Sequence, residues 1–239
     1  MTAPAPPAAR CPASGDRPTP RIVLRTGQRI VRGPLRITAD GIAYPDPRPD
    51  DRDAEGILWP RIAGEETGAP LYADINPRKQ RAAMEDPQRL LCQVGMGPAT
   101  VTPDGVLWIV PRPTGSPTDP VRTGWPTGRT SEPPVCAAHA PLAARWCPRL
   151  RLGGHAALLV RRAPLVAVEG TLYRPTGDGR VEARQRAVFD LDEHDGHQEG
   201  VDARFLLGEY LVRQLEDVTP VDLRDPELYR DAVPCDAGH

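Results

Sequence analysis

Proline stands at 30 of the 239 positions and glycine at another 22, so few stretches of this chain can run as one long regular element. Proline removes a backbone donor and breaks a helix interior, and glycine weakens helix and strand alike. Apolar side chains are sparse as well: hydrophobic residues make up 39% and aromatic residues 5% of the chain. Apolar runs such as "HAALLV" and "APLVAV" are short, and none approaches the length of a membrane span. This pattern predicts an α+β fold of short strands, hairpins and a few short helices around a modest core.

Punctuation along the chain divides it further. Residues 1–20 hold six prolines and almost no large apolar side chain, which predicts a disordered tail. A single domain is expected over 21–225, followed by an acidic tail at 226–239. "PLRITADGIAY" reads as a hairpin with Asp40-Gly41 as its turn, and "ILWPRIA" as a strand that Pro60 confines to an edge. Asn76-Pro77 places a capping side chain before a proline at the first helical position. Asp86-Pro87 repeats that device, which predicts two short helices or one kinked at Asp86. "GVLWIVP" reads as a strand, "HAPLAARWC" as a short helix, and "HAALLVRRAPLVAVEGTLYRP" with "RVEARQRAVFDLD" as three strands. "DARFLLGEYLVRQLED" gives the strongest helix pattern, with Asp202 as cap and Leu207, Leu211 and Leu215 at i, i+4 and i+8.

The residues with the most chemistry are Cys92, Cys136 and His139. Cys136-Ala-Ala-His139 leads into the predicted helix, and its two-residue gap lets one tight turn aim a thiolate and an imidazole at a single ion. Thiolate sulfur and imidazole nitrogen are the ligands tetrahedral zinc prefers. Cys92 precedes the strand candidate at 105–111, so the order is knuckle, hairpin, then ligand-bearing helix start. This is the order of a treble-clef element, expected at about 88–150. Cys147 lies eight residues beyond His139, about 12 Å along a regular helix, and is expected to pack as a small hydrophobe instead. His155 follows that helix, and Cys11 and Cys235 fall in the expected tails.

At "PLYADINPRKQRAAM", "LLCQVG", "GVLWIV", "PPVCAAHA" and "CPRLR" the chain resembles a group of actinobacterial, Streptomyces-type proteins. The resemblance covers roughly residues 70–223 and implies a zinc-bearing module. In that group the first knuckle reads C-x-x-C and the second C-x-x-C or C-x-x-H. Here Gly95 stands where the second ligand of the first knuckle is expected, and glycine has no side chain to offer. Three readings stay open. Zinc is held by Cys92, Cys136 and His139 with a fourth ligand from elsewhere or from water; or the site has decayed and the fold survives by packing; or the three residues never meet.

Charge adds limits rather than a function. With 30 basic and 32 acidic residues the net charge is −2, which gives no global attraction to nucleic acid or an anionic membrane. Lys79 is the one lysine among the basic residues, a bias that points to a GC-rich, actinobacterial source. The opening residues lack the apolar segment of a secretory signal, and five cysteines make an odd set for disulfides, so a cytoplasmic protein is expected. "DLDEHDGHQE" gathers acids and histidines but lacks the EF-hand glycine, and reads as a solvated connection. The basic turn "RKQRAAM" reads as a solvated helix face, with phosphate contact by Arg78 and Arg81, joined by Arg145, as the sharper alternative. No hydrolase or metalloprotease motif is present. The expectation is a non-enzymatic protein with a structural or vestigial zinc site that binds a macromolecular partner, protein or nucleic acid. The alternative is a metal-dependent enzyme with an open position on the same three ligands.

Overall fold

A computed structural model describes residues 19–111, 128–176, 180–191, 197–198, 201–226 and 228. The fold is mostly β, with 48% strand against 15% helix. The expected α+β class centred on a treble-clef-like element at 88–150 is therefore corrected. Antiparallel strands make up most of the protein, and the helices are short: α1 (Pro77–Met84), α2 (Ala140–Trp146) and α3 (Pro148–Gly153).

The largest departure from the local sequence pattern lies at 202–217. Residues Leu206–Val221 form one 16-residue strand, not a helix. Leucines four apart share a helix face, but four is also an even number, so they share a strand face too. Glu209 and Arg213 occupy the positions between those leucines, share their strand face and are buried with them at 4% and 1% exposure. Asp202 does cap, accepting from the Arg204 N–H at 3.0 Å, but it opens a single 3₁₀ turn at Ala203–Phe205. A second correction concerns Asp86-Pro87. Asp86 accepts from the N–H groups of Gln88 (2.8 Å) and Arg89 (3.1 Å), closing an isolated turn with no second helix.

Other elements follow the sequence. Asn76 Oδ1 accepts from the N–H of Arg78 at 3.1 Å and starts α1. Strands form at Gly105–Pro111, His155–Arg162, Leu165–Pro175 and Val181–Asp190. Arg36–Thr38 pairs with Gly41–Ala43, although Ala39-Asp40 is the two-residue loop and Gly41 opens the second strand at φ +96°. A side chain there would meet the Arg204 carbonyl oxygen at 2.0 Å, so this position takes glycine. Pro60 bounds the strand Arg61–Gly64, which pairs with Gln28–Val31.

The chain divides into two compact units. One comprises residues 1–22, 83–164 and 214–239; the other comprises 23–82 and 165–213. In the first, Gly105–Pro111 pairs with His155–Arg162, which pairs with the final part of Leu206–Val221. Both faces of this sheet are buried, as the uninterrupted apolar run "VLWIV" requires. Trp108 and Val110 pack with Leu90, Leu158 and Leu215 on one side. Leu107 and Ile109 pack on the other with Leu150, Leu159, Cys92 and Cys136. In the second unit, Leu165–Pro175 pairs with Val181–Asp190 and with the first part of Leu206–Val221, while Ile42, Tyr44, Leu58 and Leu207 form a core.

Candidate metal centre

Two segments of the first unit build the site. Residues 91–98 form a tight reversal: the Cys92 N–H donates to the Gly97 carbonyl and the Met96 N–H to the Cys92 carbonyl, each at 2.7 Å. Met96 takes the left-handed conformation at φ 59°, which turns the chain back on itself. The second segment, 133–140, is laced to the first. Pro133 and Pro134 have no N–H to satisfy and offer only carbonyls, and both are used: Gln93 donates its N–H to Pro134 at 3.0 Å and its side-chain amide to Pro133 at 2.8 Å. The Ala137 N–H donates to Thr100 Oγ1 at 2.8 Å, and the Val135 N–H to the Leu107 carbonyl at 2.9 Å. The N–H groups of His139 and Ala140 then both donate to the Cys136 carbonyl at 3.0 Å, closing a turn just before α2.

The outcome is convergence. Cys92, Cys136 and His139 are 1%, 3% and 4% exposed, and their ligand atoms all lie within 4.8 Å of one another. His139 Nδ1 stands 3.1 Å from Cys136 Sγ and 3.6 Å from Cys92 Sγ. A tetrahedral ion with sulfur at ~2.3 Å and nitrogen at ~2.0 Å would hold those atoms about 3.5 Å apart. The buried group can therefore hold a metal ion. Both sulfurs face the same ring nitrogen, Nδ1.

Electrostatics favour anionic sulfur. The Cys92 thiol is held well below its ordinary range, first by the hydrogen bond with the Cys136 side chain. Burial opposes this, but His139 and the backbone N–H groups of Gly95 and Cys136 add to the lowering. Hydrogen bonds to the charged form of a thiol are what a metal-binding thiolate needs, because the bound form is the deprotonated one.

Gly95 is the residue whose role the sequence did not reveal. A Cβ built on it would stand 2.7 Å from His139 Cε1 and 3.2 Å from Nδ1. The imidazole lies where a side chain at position 95 would be. A C-x-x-G knuckle is the available signal, but it reads only as a missing ligand until the ring is placed.

The remaining candidates do not join the group. Cys147 is a half-buried free thiol that terminates α2 and packs at the edge of the same apolar cluster. His155 opens a strand, opposite Pro111. The basic turn of α1 is engaged within the protein: Arg78 pairs with Asp50 at 2.8 Å, Lys79 with Glu66, and Arg81 stacks over the Trp59 ring at 5.3 Å. Arg145 stacks over the neighbouring Trp146 ring at 5.2 Å. Cys11, Cys235, the tails at 1–18 and 229–239, and most of the acidic, histidine-bearing segment 190–199 lie outside the described residues. Among the described residues, no helix is long and apolar enough to cross a membrane. Comparison with protein-family models, with curated proteins and with solved structures finds no match to this chain.

Proposed function

We propose that Cys92, Cys136 and His139 bind one zinc ion, and that this ion serves a structural rather than a catalytic role. The observation that carries this reading is the approach of two buried sulfurs to one imidazole nitrogen at 3.1 and 3.6 Å, close to the separation a tetrahedral ion imposes. Cysteine and histidine donors favour zinc among the metals commonly held by proteins. The ion would tie the reversal at 91–98 to the segment entering α2, two pieces of chain far apart in sequence. Cys92 and Cys136 belong to the apolar cluster of Leu107, Ile109, Val135 and Leu159, and His139 is buried, a setting that suits a staple better than a reaction site. Whatever macromolecular partner the protein has, the arginines most suited to phosphate contact on α1 are already occupied by Asp50 and Trp59.

Metal content decides this. Protein purified without added metal should carry about one zinc per chain, and Cys136→Ser should lose most of it. Chelation should lower the melting temperature, because metal binding to a site absent from the unfolded chain is itself folding free energy. Metal-free protein whose melting is indifferent to both zinc and chelator would sink the reading.

A further inference from the structure

Resting on that reading of the site, we propose that Gly95 selects the ligand set: the His139 imidazole and a side chain at position 95 compete for one volume, so the centre takes His139 only because position 95 is glycine. The ring approaches the Gly95 backbone so closely that a methyl group there would stand 2.7 Å from Cε1, inside the distance any real carbon pair tolerates. The usual relief, swinging the neighbour away, is not available at low cost. His139 is 4% exposed, and its backbone is fixed by its N–H bond to the Cys136 carbonyl. Any rotation that clears position 95 also carries Nδ1 away from Cys92 and Cys136. On the other side, the Gly95 backbone cannot retreat freely, because it lies inside the tight reversal closed by the Cys92 N–H to Gly97 carbonyl and Met96 N–H to Cys92 carbonyl bonds.

The centre is then built without a donor from position 95. Adding a thiol at position 95 does not complete it but displaces the ligand already present. Gly95 acts through His139, as a positioning residue that touches no metal itself.

The test uses the full chain loaded with cobalt(II), whose sulfur-to-metal absorption reports the number of bound thiolates. Gly95→Ala adds no donor atom, yet should weaken cobalt and zinc binding by about tenfold or more, the range for residues that hold a ligand in place. Gly95→Cys should likewise fail to give a centre with three sulfurs and the imidazole together. Removing the ring should relieve the conflict, so Gly95→Cys/His139→Cys should bind tightly with the charge-transfer intensity of four thiolates. If a variant fails to fold, the double variant serves as the rescue, because a merely structural requirement for glycine would not be lifted by changing His139. Wild-type affinity in Gly95→Ala would overturn the proposal, as would a three-sulfur, one-imidazole spectrum in Gly95→Cys. Failure of the wild-type chain to bind cobalt or zinc at all would instead overturn the metal reading on which the proposal stands.

Discussion

Arg61 is 8% exposed and has its charge met on every side. Its Nε and one terminal nitrogen bind the two oxygens of Asp51 at 2.7 and 2.6 Å, the other terminal nitrogen binds Asp46 at 2.9 Å, and the guanidinium lies 4.1 Å from the Tyr44 ring centroid. Asp51 is 3% exposed, so removing its charge leaves a buried cation short of its main partner. Breaking a buried pair from one side typically costs ~3–5 kcal/mol. Asp51→Asn is therefore expected to lower the unfolding free energy by about that amount at pH 7, measured by urea titration. The pH dependence has a definite direction. Burial raises the Asp51 carboxyl, but the hydrogen bonds from Arg61 and from the Arg48 N–H outweigh it and leave the group below its ordinary value. A carboxyl lowered by folding contributes its full stability above the unfolded value of about 4 and loses it as pH falls through the folded one. The gap between wild type and Asp51→Asn should thus be widest near neutrality and close in acid. A gap that widens below pH 4 would contradict the assignment. The candidate ligands were legible at this scale because cysteine and histidine are scarce here, five of each, and a two-residue gap between donors has few other uses. Gly95 was not legible, because a side chain's absence says nothing about what fills the space.

Strands and helices show where local patterns stop being decisive. The hairpin at 36–43 and the start of α1 were readable because turn and cap chemistry acts within a few residues. The strand Leu206–Val221 was not, since Leu, Glu, Arg and Gln favour helix locally and the leucine spacing satisfies both periods. Pairing with Leu165–Pro175 and His155–Arg162, far off in sequence, overrides that preference. One side chain takes part in holding this strand. Gln80, wholly buried on α1, donates its amide to the Leu211 carbonyl at 2.9 Å and accepts from the Leu211 N–H at 3.0 Å, standing in for a neighbouring strand. Gln80→Leu would leave both backbone groups buried without partners. An unsatisfied buried group costs roughly 1–3 kcal/mol, so a loss of about 2–4 kcal/mol is expected in chemical denaturation, with faster amide exchange at Leu211. Unchanged exchange there would show that the amide pair is dispensable.

At the scale of the whole molecule, neither compact unit is a continuous piece of sequence. The unit holding the candidate metal centre draws on residues 1–22, 83–164 and 214–239. Its strand His155–Arg162 takes its second neighbour from residues 216–221, and Leu228 lies in the same apolar cluster as Cys92 and Cys136. A chain ending at Arg213 should therefore lose amide protection along Gly105–Pro111 and His155–Arg162, and with it the capacity to hold zinc. Retention of both would mean that the last segment is ornamental to this unit. This interleaving also sets a timetable at the ribosome. At roughly 5–20 residues per second, the nascent chain presents Cys92, Cys136 and His139 several seconds before the strand segment beginning at Gln214 exists. Through that interval the two thiols lie in a half-built unit, open to whatever ion or oxidant reaches them first.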